Sequence, residues 1–221
     1  MSIKNIVNQS LVPKDLAESL GPSGIKLILE IAWEAYHELR DVQGYKADST
    51  VHENSITENW AVFFTRKWFQ HDRAVSMSIT PLHQFEDDTL SESKNKGGMK
   101  PTIDFGLRES FPNNRYFGIE CKRLAENDNK KLRYYMKEGI ERYVTGKYGA
   151  TCSEDAIMAY VVGGNIQNVI SEVREALLSY PQCISPMARN IQFEEPTYSC
   201  ICVRPGIGID VKIDQLFLDF V

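Results

Sequence analysis

Long apolar runs are missing from this chain: no stretch approaches the roughly 20 residues that a membrane-spanning helix requires. Residues 1–16 also lack the basic-then-apolar order of a signal peptide. We therefore expect no membrane partner and a cytoplasmic location. Hydrophobic residues make up 43% and charged residues 25% of 221, which is typical of an ordinary globular protein with one principal core.

Cysteine and histidine are few, and their spacing does not suit a zinc site. The five cysteines include no CxxC pair, and the four histidines include no HxxxH pair. Neither a disulfide framework nor a zinc knuckle is indicated, and reduced thiols are expected. Cys200 and Cys202 would share one face of a strand, where small core residues are the simpler interpretation and a metal or redox role the other.

The chain also has fewer positively charged residues, 25 lysines and arginines, than negatively charged ones, 30 aspartates and glutamates. The formal net charge of -5 argues against a protein that coats duplex DNA by charge alone. Between Lys122 and Lys147, however, eight lysines and arginines stand against four carboxylates, which leaves a local charge of +4. This segment is either a local nucleic-acid contact or a solvated helix face with balancing pairs.

Hydrophobic periodicity predicts an α/β domain with a central mixed β-sheet flanked by α-helices. Residues 1–50 are expected to form an N-terminal helical segment packed on a core of residues 51–221, within a single domain overall. The pattern predicts helices at 22–40, 57–70, 129–146 and 166–180, strands at 73–80, 100–107, 115–124, 155–164, 198–205 and 211–220, and a mobile loop at 84–98.

Two of these predicted strands carry side chains suited to phosphodiester hydrolysis. Asp104 stands between two apolar neighbours, so its carboxylate lies on the other face of its strand. Glu120 and Lys122 are two residues apart and share a face of the next strand. If the strands form a hairpin, both carboxylates and the backbone carbonyl of Cys121 can hold Mg²⁺, while Lys122 orients or helps to deprotonate the attacking water.

The segments PTID and IECKR, placed on consecutive strands and followed by a helix, resemble the PD-(D/E)XK nuclease superfamily. The resemblance implies a restriction-endonuclease-like fold and a magnesium-dependent endodeoxyribonuclease in which Mn²⁺ can substitute. It assigns the first acid to Asp104, the second to Glu120 and the lysine to Lys122. The sequence departs from the pattern at Pro101, which precedes Asp104 by three residues instead of one.

Members of this superfamily often add a glutamate from the helix before the first core strand. Glu58 is the best positional counterpart and a further candidate metal ligand, with Glu53 and Glu30 as weaker ones; alternatively, Glu58 simply favours the positive end of its helix. The helix after Lys122 supplies candidate contacts to nucleic acid by phosphate pairing and stacking, although core packing is an alternative for the tyrosines. These candidates are Arg123, Lys130, Lys131, Arg133, Tyr135 and Arg142.

The function expected from the resemblance is hydrolysis of DNA, in defence against foreign DNA by analogy with similar proteins. A homodimer or a partner subunit would supply specificity. Two alternatives stay open. One is a catalytically silent subunit that uses the nuclease fold as an interaction platform in a larger complex, and the other is a metal-independent domain in which Lys122 merely pairs with Glu120 and Asp104.

Overall fold

The computed structural model describes residues 15–86, 102–109 and 115–221, which form a seven-stranded mixed sheet with helices on both faces. The predicted α/β class with a central mixed sheet is confirmed. The helices are α1 (Leu16–His37), α2 (Glu53–Gln70), α3 (Asp72–Ser76), α4 (Asn129–Tyr134), α5 (Glu141–Val144) and α6 (Ile166–Leu178). The strands are β1 (Ile79–Glu86), β2 (Thr102–Glu109), β3 (Tyr116–Leu124), β4 (Glu154–Val161), β5 (Cys183–Arg189), β6 (Thr197–Cys202) and β7 (Val211–Asp219).

The strand order is β1-β2-β3-β4-β7-β6-β5. Strands β1 to β3 are antiparallel neighbours, β3, β4 and β7 are parallel, and β7, β6 and β5 are again antiparallel. Parallel strands need long connections. The connection from β3 to β4 runs through α4 and α5, and the one from β4 to β7 runs through α6, β5 and β6. β3 and β4 are almost wholly buried, so the centre of the sheet is shielded from solvent.

Two hydrophobic clusters cover the two faces of the sheet. α1 and α2 pack on one face, where Trp60 and Phe64 contact Phe105 of β2 at ring-centroid distances of 5.0 and 4.9 Å. The segment from α4 to α5 and helix α6 pack on the other face, where Tyr135 and Val173 are fully buried. Helix, sheet and helix therefore form three layers.

α1 begins earlier than the predicted helix at 22–40. Asp15 caps it by accepting a hydrogen bond from the backbone N–H of Glu18 at 2.7 Å. Gly21 takes a left-handed φ of 62° just before Pro22, so the helix is kinked where the sequence carries its Gly-Pro start signal.

The prediction of a strand over 73–80 is wrong for all but its last two residues. Residues Asp72–Ser76 form α3, Ser78 turns the chain with a φ of 55°, and β1 begins at Ile79. The loop predicted at 84–98 is also shortened, because β1 continues to Glu86. The remainder of that loop and the connection at 110–114 lie outside the described residues.

The long helix predicted after β3 is present, with a wider turn in its middle. α4 passes into a π-helical segment, Tyr135–Ile140, and then into α5. π-helical turns are rare and frequently lie at functional sites. This one packs on β3, and a Cβ built on Gly139 would lie 3.6 Å from Cγ of Lys122. The helix thus lies directly over the strand that carries Glu120 and Lys122.

Among the helices of the described ranges, none combines the length and the apolar character needed to cross a bilayer.

Candidate metal and catalytic site

The structure brings Asp104, Glu120 and Lys122 together, as the hairpin geometry predicts. β2 and β3 pair in antiparallel register, with Phe105 opposite Ile119. One residue beyond this pair, the Asp104 carboxylate accepts a hydrogen bond from the backbone N–H of Cys121 at 2.9 Å. Asp104 is thus held across from the Glu120–Lys122 segment and faces the same spot.

The ammonium of Lys122 is the centre of the cluster. Its Nζ lies 2.7 Å from Glu120 Oε1, 3.4 Å from Asp104 Oδ2 and 2.6 Å from the carbonyl oxygen of Cys121. All three groups predicted from the sequence as magnesium ligands, two carboxylates and one backbone carbonyl, therefore lie around this ammonium, and a third carboxylate, that of Glu53, joins them.

Glu120 is a buried acid of which one carboxylate oxygen pairs with Lys122 and the other has no donor in the described part of the chain. It is 1% exposed, and no donor within the described ranges reaches its second oxygen, Oε2. Burial raises the pKa of Glu120 to about 8, and the opposing effect of Lys122 does not cancel it. An unpaired buried carboxylate oxygen is costly, so the donor set fits a hard divalent ion that binds through oxygen.

Lys122 keeps its proton despite its burial. Desolvation alone would lower the pKa of this 3% exposed residue, but Glu120, Asp104 and Glu53 outweigh it, and the pKa is raised well above its ordinary value. Lys122 is therefore a fixed positive charge and a hydrogen-bond donor at neutral pH.

Glu53 joins the site, whereas Glu58 does not contact Lys122. Glu53 is the first residue of α2, and its Oε1 lies 3.1 Å from Nζ of Lys122. Its Oε2 accepts the backbone N–H of Arg123 at 2.9 Å. Glu58 is exposed on the same helix. The glutamate supplied by this helix is thus the one ranked lower from the sequence.

Arg123 and Arg142, both predicted to contact nucleic acid, make hydrogen bonds to other groups of the protein. The Arg123 guanidinium donates to the carbonyl oxygens of Val51 at 2.5 Å and Ser49 at 3.3 Å, which ties the loop before α2 to β3. Arg142 Nη1 lies 3.5 Å from Glu120 Oε1, and the guanidinium also contacts Glu138 and Tyr148. Arg123 thus positions Glu53, and Arg142 supports Glu120.

The prediction that Tyr135 contacts nucleic acid needs correction. Tyr135 is fully buried, and its hydroxyl donates to Gln215 Oε1 at 2.9 Å, so neither ring face is open to a base. The preceding residue, Tyr134, is 52% exposed, and its ring centroid lies 5.8 Å from Nζ of Lys122. The π-helical turn begins between these two tyrosines, which helps to direct them to different surroundings.

A cleft of about 700 Å³ opens beside the cluster. It borders the site through Glu53 and Tyr134, both of which contact Lys122. Three of the predicted nucleic-acid-binding residues line it, namely Arg123, Lys130 and Lys131. Arg133 is exposed on α4 outside this lining. The cleft also contains His52 and Asp128, so its wall is mixed, with a positive balance.

Comparisons with protein-family models, with curated proteins and with solved structures found no match to this chain. The function of this chain is therefore inferred from the residues and geometry of its site.

Proposed function

We propose that this protein is a metal-dependent endonuclease that hydrolyses phosphodiester bonds in DNA and has a restriction-endonuclease-like core. One observation carries the proposal: Asp104, Glu120 and the carbonyl of Cys121 lie together around the Lys122 ammonium, while Glu120 Oε2 has no donor within the described ranges. Oxygen ligands of this kind select Mg²⁺, and Mn²⁺ can substitute.

A bound divalent ion supplies an activated water and stabilises the charge that develops on the phosphate. Asp104, Glu120 and Cys121 would hold that ion. Lys122 carries a permanent positive charge, so it can orient the attacking water and offset the negative charge of the transition state. Glu53 accepts from both Lys122 and the Arg123 backbone, which keeps the ammonium in place.

The cleft supports a nucleic-acid substrate. Lys130 and Lys131 provide positive charge next to Glu53, although Lys131 also pairs with Asp128, and the exposed ring of Tyr134 offers a stacking surface. Arg123 adds charge to the wall while its guanidinium holds the loop before α2. The net charge of -5 keeps this attraction local. We infer that a second copy of the chain or a partner subunit contributes the remaining DNA contacts, and a role in defence against foreign DNA remains an analogy.

The direct test is plasmid nicking. Supercoiled and linear DNA are incubated with the purified chain in Mg²⁺, in Mn²⁺ and in chelator. Nicking is expected only with metal, and Lys122→Ala should slow it by about 10²–10⁴-fold. Asp104→Ala should abolish it. Lys212 of β7 pairs with Glu154 and Asp214. Lys212→Ala is therefore the matched control and should nick at the wild-type rate once its folding is verified.

The ion pairs of Lys122 also favour a second candidate, a silent interaction subunit of a larger complex. In that case the ammonium permanently satisfies Glu120 and Asp104, and no metal enters. Thermal unfolding with and without Mg²⁺ separates the two candidates, because an ion that binds the folded state raises its stability. Absence of both nicking and metal stabilisation would support the silent subunit.

A further inference from the structure

Three of the five cysteines meet on the face of the sheet covered by α6, remote in sequence from the carboxylate site. Cys200 and Cys202 alternate on β6 with Ile201, so both thiols point into the core while Ile201 is 38% exposed. Cys183 of β5 pairs directly with Cys202. The three sulfur atoms lie within 4.8 Å of one another.

This spacing is close to that of a metal–thiolate site. Zinc–sulfur bonds of about 2.3 Å place tetrahedral sulfur ligands about 3.8 Å apart, which small side-chain rotations would achieve here. Cys200 and Cys202 are buried and Cys183 is half-buried at the edge of the sheet. Three protein ligands on this edge leave a fourth coordination position on the side of Cys183.

The surroundings of Cys200 supply a hydrogen-bond donor to sulfur. Gln215 Nε2 lies 3.4 Å from Cys200 Sγ, and the Tyr135 hydroxyl donates to Gln215 Oε1, which fixes the orientation of the amide. Donors of this kind stabilise thiolate ligands and tune metal affinity. A two-cysteine disulfide would leave the third converging thiol and this amide unexplained.

We propose that Cys183, Cys200 and Cys202 form a binding site for one thiophilic metal ion of the Zn²⁺ class. Soft thiolates select such ions, whereas the oxygen donors around Lys122 select hard ones, so the chain would hold two chemically different metal sites. This proposal is independent of the nuclease function. It also differs from the expectation that Cys200 and Cys202 are only core residues.

Cobalt titration of the reduced, metal-free full chain tests the site, because Co²⁺ bound to thiolates gives sulfur-to-metal charge-transfer absorption and oxygen ligands do not. We expect a band that saturates at one ion per chain and disappears when Zn²⁺ is added. Cys183→Ser should weaken Zn²⁺ binding at least about 10-fold and reduce the band. This residue is half-buried, so the variant should fold, which circular dichroism would verify.

Cys152→Ser is the matched control. Cys152 is buried and its thiol donates to the carbonyl of Tyr116 at 3.5 Å, a bond that serine can keep, and it lies outside the cluster. This variant should retain the band. Absence of a sulfur–cobalt band in the wild type, or a band that Cys183→Ser leaves intact, would overturn the proposal. Formation of a disulfide on oxidation by a chain that takes no metal when reduced would do the same.

Discussion

The described chain contains two clusters in which a lysine and a carboxylate stand two residues apart on a strand, and the two differ in what surrounds them. At β3, Lys122 is 4% exposed and contacts two carboxylates of the strand pair, Glu53 and a backbone carbonyl. At β7, Lys212 is 37% exposed and pairs with Glu154 at 2.5 Å and Asp214 at 3.2 Å.

The neighbouring hollows differ as well. The cleft beside Lys122 is lined by Arg123, Lys130 and Lys131, whereas a hollow of about 490 Å³ that reaches Glu154 is lined by Asp15 and Glu18 and by no lysine or arginine of the described chain. Phosphate is attracted by the first and repelled by the second. An acid–lysine pair on a strand is therefore not sufficient for the proposed nuclease site, and the Cys121 carbonyl and the positive cleft distinguish the β3 cluster from the β7 cluster.

Substitution of the lysine at the centre of each cluster should have the largest effect on the free energy of unfolding. The two clusters should also differ most in this effect. Lys122→Met leaves buried Glu120 without its nearest cation, so we expect the free energy of unfolding to fall by about 3–5 kcal/mol. Lys212→Met also removes the cation nearest to a buried carboxylate, Asp214, but water reaches this partly exposed lysine, so the loss should be smaller, about 1–3 kcal/mol. Urea denaturation of both variants in chelator measures this, and equal losses would show that the clusters are equivalent.

The second largest difference between the clusters should lie in the stability gained from bound metal. At a concentration 100 times its dissociation constant, Mg²⁺ should raise the free energy of unfolding of the wild type by about 2.7 kcal/mol. Asp104→Asn should abolish this gain, and Asp214→Asn should preserve it, because only Asp104 belongs to the proposed ligand set. Denaturation with and without Mg²⁺ gives the comparison. A gain that depends on Asp214 would relocate the metal site to β7.

Two glutamates of α2, Glu53 and Glu58, test which residues of this helix belong to the β3 cluster. Glu53→Gln weakens the hold on Lys122 and should reduce metal-dependent nicking by about 10–100-fold. Glu58→Gln changes an exposed residue of the same helix and should have no effect, and nicking rates at saturating Mg²⁺ measure both. If Glu58→Gln is the more damaging change, the ligand predicted from sequence is correct and the role assigned to Glu53 is not.

The pH dependence of stability gives the last comparison between the clusters. Burial raises the pKa of Glu120 and that of Asp214 to about 8, above their ordinary values of 4.5 and 3.8. The folded chain therefore keeps protons that the unfolded chain has lost, and metal-free stability should fall as pH rises from about 4.5 to 8.

Saturating Mg²⁺ should flatten this dependence in part, because bound metal requires ionised Glu120 and leaves Asp214 unchanged. Unfolding curves at several pH values, for the wild type, Glu120→Gln and Asp214→Asn, test this. If Mg²⁺ leaves the slope unaltered, the ion does not bind at Glu120.

The sequence predicted the strands around the site more reliably than the elements at the edge of the sheet. Glu120 and Lys122 alternate with buried Ile119 and Cys121, and this pattern specifies a strand with one polar pair. The Cys183–Arg189 strand, by contrast, contains Pro186 and is mostly exposed, and only its pairing with β6 makes it a strand. A short alternating segment such as 73–80 is equally compatible with a helical turn, which is what Asp72–Ser76 forms.

By itself, the sequence determined the α/β class and the acid–lysine pattern of β2 and β3, because alternation on a strand decides which side chains share a face. Only the tertiary structure decided which partners reach that face. Glu53 and Glu58 are five residues apart, so they point about 140° apart around α2, and the packing of the helix selects Glu53. Packing of the π-helical turn likewise buries Tyr135 and exposes Tyr134, and the pairing of β5 with β6 brings Cys183 to Cys200 and Cys202.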